Sequence, residues 1–194
     1  MLNYNTLLRF QNFEKVLKRG FKGLKEEALE KLAALDNYDP LDNVNKKPFY
    51  EAIVIVCDAI VLWANRYADL YEVEAEKETD PVRKQEMVDI AARCRWVPEN
   101  PARDFREAIQ SQWFTQMFSR LESKTSAIVS NGRMDQYFYP YYMADKEAGI
   151  LTDAEATELL ECMWVGMAQL IDLYMSVTGG AFNEGYAHWE AVTI

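Results

Sequence analysis

The longest apolar segment of the chain lies between Pro48 and Glu78 and has the length of a long helix. Pro48 suits the first turn, because its missing N–H group would have no partner within the helix there. The first half is apolar almost all round, which is typical of a helix that is buried on most sides. Its apolar residues are Phe49, Ala52, Ile53, Val54, Ile55, Val56, Ile60, Val61 and Trp63. The second half is acidic and is expected to be solvated, with Glu72, Glu74, Glu76 and Glu78.

Glycine and turn residues divide the preceding part of the chain into two short helices. The first is predicted to start at Phe13 and to stop at Gly20. The second is predicted over Leu24 to Leu35, with apolar residues on one face. The turn-rich stretch from Asp36 to Asn45 is expected to connect it to the long helix.

Capping signals mark the starts of three further helices. A side-chain oxygen just before a helix accepts an N–H group of the first turn, and a glutamate three residues later can return the bond. The signals are Asp80-Pro81 for a helix to about Arg95, Asp104 with Glu107 for a helix to about Leu121, and Thr152 with Glu155 for a helix to about Met175.

A strand, a turn and an aromatic helix are predicted in the stretch from Ser126 to Gly149. The short β-branched run Ala127–Val129 indicates a buried strand, and Asn131-Gly132 indicates a turn. A helix from Met134 to Ala148 follows, with Pro140 inside it and Gly149 as its C-terminal cap.

The predicted fold class is therefore mainly α, with one or two short strands near residues 126–130 and 190–194. Residues 1–12 are a poorly patterned N-terminal segment, and residues 13–194 show no internal domain boundary. A chain of 194 residues is long enough to bury a core as one domain.

Charged and aromatic residues follow the Asn131-Gly132 turn closely. Arg133 and Asp135 are too close in sequence to share a helix face, so we expect each to contact a different neighbour. Four tyrosines and a phenylalanine occur between Tyr137 and Tyr142, and each would bury a large apolar area. Core packing of this cluster is favoured, and a binding platform is the alternative.

Composition excludes several classes of partner. The net charge of −10 argues against nucleic acid and anionic membrane surfaces. The apolar run from Ile53 to Ala64 is too short to cross a bilayer and contains Asp58, and the N-terminus does not have the pattern of a secretory signal. Three well-separated cysteines suit a reducing cytoplasm and buried thiols: Cys57, Cys94 and Cys162.

No complete catalytic constellation follows from the residues alone. His188 is the one histidine, and nothing around it supports a nucleophile–histidine site, so a packed role is favoured. The cysteines lack zinc-ligand spacing, and the Glu72–Glu78 carboxylates suit a solvated helix face better than a metal site. No metal is predicted. Gly179-Gly180 is only a pair and does not make a phosphate loop.

The stretch after the turn closely resembles one element of the glycyl radical enzymes, the pyruvate formate-lyase-like superfamily. Here it reads Gly132-Arg-Met-Asp-Gln-Tyr-Phe-Tyr-Pro-Tyr-Tyr142. Further matches occur in family order, so that the resemblance covers nearly everything after residue 12. They include Phe13–Leu17 with Gly20 and Gly23, Phe49–Ala52, Asn65–Ala68, Ile90–Cys94, Val97-Pro98, Phe105–Ala108 and Leu151-Thr152. The residues that match the structural element are Gly132, Arg133, Asp135, Gln136, Tyr137 and Pro140.

The resemblance implies the helical portion of a ten-stranded α/β barrel. It also implies lyase chemistry, in which a glycyl radical, installed by a radical S-adenosylmethionine activating enzyme, oxidises a cysteine that attacks a small anionic substrate. The thiyl cysteine and the radical glycine of the family have no counterpart here, so residues 13–194 are expected to be a partial domain, inactive alone and binding no cofactor. The bond cleaved in the full enzyme would be C–C, C–S or C–O.

Some of the substrate cavity of the family is expected in this chain. The resemblance implies that the strand before Gly132 lines the cavity, at Ser126, Ala127 and Ile128. Relatives that bind polyols have a His-Ser pair there, which this sequence lacks. A further lining position is Trp189, and a tryptophan there resembles the isethionate sulfite-lyase branch and, less closely, the arylacetate decarboxylases. Simple packing of Trp189 is the equal alternative.

Two functional readings remain open from the sequence. The chain is either part of a truncated glycyl radical lyase, or a non-catalytic helical interaction module or subunit of a split enzyme. Both predict exposed apolar surface where the rest of a barrel would pack, and hence self-association. A small-molecule substrate is expected only for the full enzyme.

Overall fold

The structure is a computed structural model that describes residues 9–10, 12–36, 38–122, 129–169 and 192–193. This part of the chain is mostly helical, as predicted. The helices are α1 (Phe13–Ala33), a π-helical turn (Asp42–Lys46), α2 (Lys47–Lys77), α3 (Pro81–Trp96), α4 (Phe105–Glu122), α5 (Met134–Glu147) and α6 (Asp153–Gln169). The strands, each of two residues, are β1 (Arg9–Phe10), β2 (Val129–Ser130), β3 (Gly132–Arg133) and β4 (Val192–Thr193).

The chain divides into two compact units. The helical unit comprises Glu14–Arg103 and Gln110–Phe114, and the strand unit comprises Met1–Phe13, Asp104–Ile109 and Thr115–Ile194. The helical unit therefore contains α2, α3 and nearly all of α1, whereas the strand unit contains α5, α6 and all four strands.

Small side chains bring α2 and α3 together in the helical unit. One face of α2 is buried through residues spaced three, four or seven apart: Cys57, Ile60, Ala64, Ala68 and Ala75. Small residues at such positions let two helices approach closely. On α3, Ala91 and Cys94 are buried. Arg95 adds an exposed ion-pair network, since its guanidinium donates to Asp69 and to Glu72 on α2.

The prediction that α2 is buried on most sides is wrong. Phe49 is 61% exposed, Ile55 68% and Leu62 63%, because only the face described above is covered by the described chain. A stretch within Asp42–Lys77 is also long and apolar enough to cross a bilayer by length and composition, and 17% of it is buried. That criterion is weak for a single helix.

The break predicted at Gly20 is present, but the second helix begins earlier than Leu24. Gly20 has φ 64° and ψ 172°, a conformation outside the helical region. The helix resumes at once, because loop carbonyls accept its first N–H groups: Phe21 N–H donates to Pro98 O and Lys22 N–H to Glu99 O, both at 2.9 Å. Helix α1 then ends at Ala33, two residues before the predicted end.

The predicted connector before α2 is partly helical, which the sequence reading missed. Asp42–Lys46 forms a π-helical turn that leads directly into α2. Its first residue, Asp42, is buried and accepts the Asp36 N–H at 3.1 Å, while Lys46 pairs with the same carboxylate. Both interactions lower the pKa of Asp42, with Lys46 the larger cause.

The predicted capping residues act as expected. Asp80 accepts the Val82 N–H at 2.9 Å, and Asp104 accepts the Glu107 N–H at 2.8 Å. The Thr152–Glu155 box is closed in both directions, at 2.8 Å and 3.2 Å. Helix α6 is described as far as Gln169, so its predicted end at Met175 lies outside the described residues.

Two parallel strand pairs form in the strand unit. β1 pairs with β2, and β3 pairs with β4. Strands were predicted near β2 and β4, but not at β1, in the weakly patterned N-terminal segment, nor at β3. Two-residue strands carry almost no periodic signal, and their pairing is decided by distant residues.

A pH-dependent contribution to stability is expected from Glu27. Lys15, followed by Lys31, holds the pKa of its carboxyl at about 2, below the ordinary 4.5. Because the pKa is lowered on folding, the stabilisation is present above about pH 4.5 and is lost as the pH falls towards 2. Glu27→Gln should flatten the stability profile in that window, measured by urea unfolding.

Candidate functional site

The residues around the Asn131-Gly132 turn lie between two strand pairs. β2 ends at Ser130 and β3 begins at Gly132, so Asn131 joins strands that belong to different sheets. Gly132 has φ 61°, which supports the predicted turn. Ser130 and Asn131 are buried. We call residues 130–137 the turn site.

Within the turn site, the first helical turn of α5 contacts Asn131. The Tyr137 hydroxyl donates to the Asn131 carbonyl at 3.0 Å, and the Asn131 side-chain amide lies 3.4 Å from Met167 Sδ. The Tyr137 ring packs against Phe13 and Phe138, with centroids 5.7 Å and 4.7 Å away. Burial raises the pKa of Tyr137, so its hydroxyl remains a donor at neutral pH.

Arg133 and Asp135 contact each other, which contradicts the expectation that each contacts a different neighbour. The Arg133 Nη2 to Asp135 Oδ2 distance is 3.5 Å, and the Gln136 amide donates to the same oxygen. Arg133 precedes α5 with φ −86° and ψ 76°, so helical spacing does not separate the two side chains. The hydrogen bond from Gln136, and then Arg133, lowers the pKa of Asp135. Asp135 Oδ1 is buried without a hydrogen bond among the described residues.

Aromatic packing holds α5 against the start of α4 within the strand unit. Phe105 lies 6.0 Å, centroid to centroid, from both Phe138 and Tyr142. The buried Asp145 carboxylate accepts the Phe105 N–H at 2.7 Å and so caps α4 from α5. This cap was not predicted, since the two residues are forty positions apart. Packing is thus the role of much of the tyrosine cluster, although Tyr139 is 59% exposed.

Gly149 caps the C-terminal end of α5, as the sequence predicted. Gly149, with φ 71°, donates to Lys146 O at 3.1 Å, and Ile150 N–H donates to Asp145 O at 3.0 Å. These two bonds satisfy carbonyls that the end of the helix leaves open. Pro140 lies within α5, as predicted.

A row of buried polar residues on α4 was missed by the sequence reading. They are Glu107, Ser111, Gln112, Thr115 and Gln116, each at most 5% exposed. The spacing of four between Glu107, Ser111 and Thr115 was the available signal, because residues four apart share a helix face. Helix α4 therefore buries a polar stripe where an apolar one would be usual.

Two of the three predicted core thiols are buried. Cys57 and Cys94 are buried, and desolvation raises the pKa of each to about 11. Both are therefore protonated and unreactive at neutral pH. The same prediction is wrong for Cys162, which is exposed on α6. Its apolar neighbours in sequence, Trp164 and Val165, are exposed as well.

The proposed cavity residues Ser126, Ala127, Ile128 and Trp189 lie outside the described residues, as does His188. Among the residues that the structure describes, no group of three or more His, Cys, Asp or Glu could hold a metal ion. The turn site, residues 130–137, contains no histidine, cysteine or lysine. Its arrangement can position the backbone, and it offers no complete catalytic constellation of its own.

The Pyruvate formate lyase-like family profile matches residues 10–194. The chain belongs to this family of glycyl radical enzymes. The match includes the whole turn site and confirms the resemblance read from Gly132–Tyr142.

Curated relatives and solved structures support the same family. An isethionate sulfite-lyase of Oleidesulfovibrio alaskensis is 70% identical over 183 residues, which cover 94% of this chain and 22% of that enzyme. A trans-4-hydroxy-L-proline dehydratase of Clostridioides difficile is 39% identical over 150 residues, or 77% of this chain and 19% of the enzyme. The B12-independent glycerol dehydratase of Clostridium butyricum superimposes with a TM-score of 0.88 at 32% identity, over 97% of this chain and 23% of that one. The chain thus spans about a fifth of the length of its curated relatives.

One glycyl radical enzyme type stands out by sequence identity. Three further isethionate sulfite-lyases are 66–69% identical, each over 183 residues. A (2S)-3-sulfopropanediol dehydratase of Klebsiella oxytoca is 34% identical over 156 residues, 80% of this chain and 19% of the enzyme. The relatives are lyases and dehydratases that act on small molecules.

Proposed function

We propose that this chain forms part of a glycyl radical lyase that cleaves the C–S bond of isethionate. The observation that carries the proposal is the gap in identity between the isethionate sulfite-lyases, at 66–70%, and the dehydratase relatives, at 41% or below. Cleavage of that bond would release sulfite from a small anionic substrate. The arylacetate decarboxylases are the weaker alternative, since an indoleacetate decarboxylase is 34% identical over 63% of the chain.

The turn site would act as a positioning element in that enzyme. The Tyr137–Asn131 hydrogen bond braces the residue after β2 against α5, and the Arg133–Asp135 pair joins the end of β3 to α5. Residues that precede β2 would then be held at the cavity wall, where we propose Ser126, Ala127 and Ile128. Trp189, shortly before β4, is proposed to line the same cavity.

Hydrogen-atom abstraction would be carried by other parts of the longer polypeptide. The glycyl radical, installed by a radical S-adenosylmethionine activating enzyme, would supply that chemistry once present. None of Cys57, Cys94 and Cys162 is proposed for the thiyl role, because none matches the position of the thiyl cysteine in the family, and Cys57 and Cys94 are also buried. We therefore propose that the 194-residue chain binds no cofactor and is inactive alone. A cytoplasmic location, without nucleic acid or membrane partners, is part of the same proposal.

A chimeric enzyme tests this function directly. This chain replaces the matched 183 residues of the Oleidesulfovibrio alaskensis isethionate sulfite-lyase, and the product is activated anaerobically. We expect a glycyl radical signal in electron paramagnetic resonance and sulfite release from isethionate, with neither from the isolated chain. Turnover by the isolated chain, or a chimera that forms the radical but acts on glycerol and not on isethionate, would contradict the proposal.

Tyr137→Phe is expected to loosen the turn site. The substitution leaves the buried Asn131 carbonyl without its 3.0 Å donor, which should lower the free energy of unfolding by about 1–2 kcal/mol. Tyr139→Phe, at an exposed position of the same helix, should change it by less than about 0.5 kcal/mol. Urea unfolding followed by circular dichroism measures both. Equal effects of the two variants would argue against the hydrogen bond as the cause.

The second reading, an interaction module or a subunit of a split enzyme, is supported by the exposed apolar face of α2. In the isolated chain this face should drive self-association. Leu62→Glu is expected to weaken that association at least about tenfold, since it buries a charge in the contact. Ile150→Glu, at a similarly exposed position in the strand unit, should leave it unchanged. Light scattering over a concentration series gives the dissociation constants.

A further inference from the structure

Asn131 is the single residue between two strands that have different partners. β2 ends at Ser130 and pairs with β1, whereas β3 begins at Gly132 and pairs with β4. Both pairs are parallel. The backbone conformation of Asn131 therefore sets the direction in which β3 leaves β2, and with it the position of β4 relative to β1.

Both parts of the proposed cavity wall precede these strands in sequence. Residues 126–128 come immediately before β2, and Trp189 comes three residues before Val192, where β4 begins. Val192 lies opposite Gly132 in the register of β3 and β4. The distance between the two parts of the wall would thus depend on the conformation of Asn131.

Side chains from two different helices hold Asn131. Tyr137 of α5 donates to its carbonyl at 3.0 Å, and Met167 of α6 accepts from its side-chain amide, with 3.4 Å between Nδ2 and Sδ. Asn131 is 1% exposed and Met167 5%, so bulk water does not compete for the amide. A thioether sulfur is a weak acceptor, but an interaction that water does not reach is stronger than the same interaction in solvent. Asn131 is thus held through its backbone by α5 and through its side chain by α6.

We propose that Met167 is a positioning residue for the cleavage of isethionate, and that it acts through Asn131 on the relative placement of the two strand pairs. The inference rests on the proposed function and extends it to α6, which lies outside the turn site. A substrate must be held close to its reactive geometry, and a misplacement of about 1 Å can reduce the rate about a hundredfold. Loss of the Met167 contact should therefore slow turnover without preventing formation of the glycyl radical.

Packing alone is the alternative role for Met167, and two substitutions separate the roles. Met167→Leu preserves the side-chain volume and removes the sulfur acceptor. Met167→Gln keeps an unbranched side chain and places an amide oxygen, a stronger acceptor, near the position of the sulfur. If only packing matters, leucine should be tolerated better than the polar glutamine. If the acceptor matters, the order should be reversed.

The chimeric enzyme that carries these substitutions tests the proposal. We expect Met167→Leu to lower kcat for sulfite release at least about fivefold, with an unchanged glycyl radical signal in electron paramagnetic resonance. Met167→Gln should restore kcat to within about twofold of the unsubstituted chimera. Met163, which is also buried on α6, provides the matched control. Met163→Leu removes a buried sulfur as well, and it should leave kcat within about twofold.

Three results would overturn the proposal: an unchanged kcat in Met167→Leu, a lower kcat in Met167→Gln than in Met167→Leu, or equal losses in Met167→Leu and Met163→Leu. Nuclear magnetic resonance of the 194-residue chain gives an independent measurement. Met167→Leu should speed the exchange of the Asn131 side-chain amide protons with water at least about tenfold, and Met163→Leu should not. Unchanged exchange in Met167→Leu would also overturn the proposal. An unsubstituted chimera that forms the radical but releases no sulfite would contradict the proposed function alone, and the exchange measurement, which needs no turnover, would then decide on Met167.

Discussion

Gly20→Ala is expected to destabilise the helical unit by about 3–5 kcal/mol, more than any other substitution discussed above. An alanine Cβ at this position would lie 2.2 Å from Glu99 O and 2.6 Å from the Asn100 carbonyl carbon. Both are backbone atoms, so no side chain can rotate away to make room. The φ of 64° with ψ of 172° is itself a region that only glycine occupies readily.

Relief of the overlap would also cost hydrogen bonds. Movement of the loop away from Gly20 would stretch the bonds from Phe21 N–H to Pro98 O and from Lys22 N–H to Glu99 O. Those bonds satisfy the first N–H groups of the resumed helix. Thermal and urea unfolding of the isolated chain, followed by circular dichroism, should therefore show a large loss of stability.

Gly149→Ala is the matched control for Gly20→Ala. Gly149 has a similar positive φ of 71°, but a Cβ there would meet nothing within 4 Å. Its substitution should cost only the conformational penalty, about 1–2 kcal/mol. If the two variants lose equal stability, steric overlap with the loop is not the cause.

Asp145→Ala is expected to destabilise the strand unit by about 2–3 kcal/mol. The buried Asp145 carboxylate accepts the Phe105 N–H at 2.7 Å and so satisfies a donor at the start of α4. Bonds to a charged acceptor contribute more than neutral ones, and their loss leaves a buried N–H group unsatisfied. Phe105 also packs on Phe138 and Tyr142, so the first turn of α4 should loosen with its cap.

Asp153→Ala provides the comparison for the Asp145 prediction. Asp153 is exposed, and it pairs with Lys146 at 2.6 Å and with the Tyr142 hydroxyl at 2.7 Å. Surface pairs contribute little, so the loss of stability should be much smaller than that of Asp145→Ala. Hydrogen exchange at the Phe105 amide separates the two roles, because only Asp145→Ala removes its acceptor. Unchanged protection of that amide in Asp145→Ala would show that the Asp145 carboxylate does not stabilise the start of α4.

Local chemistry was sufficient to predict the helix bounds that depend on neighbouring residues. Asp80, Asp104, Thr152 with Glu155, and Gly149 each act within a few positions of the group that they satisfy. The same is true of the turn that the dipeptide Asn131-Gly132 predicted, where Gly132 has a positive φ. The family was also identified from the sequence, because its element lies in one uninterrupted run from Gly132 to Tyr142.

Tertiary contacts determined what the sequence reading got wrong. Apolar character all round α2 indicated burial, yet burial needs partners, and the described chain covers only one face of the helix. Arg133 meets Asp135 because the residue that precedes α5 is not helical, a conformation that sequence spacing does not reveal.

The sequence by itself determined the family, the helical class and the capped ends of the helices, because those features depend on residues close together along the chain. Only the tertiary structure revealed that Asp145 caps α4, that Gly20 lies against the backbone of Glu99, and that one side of α2 remains uncovered. These contacts join residues dozens of positions apart. Their formation depends on how whole elements pack, and no local pattern encodes that.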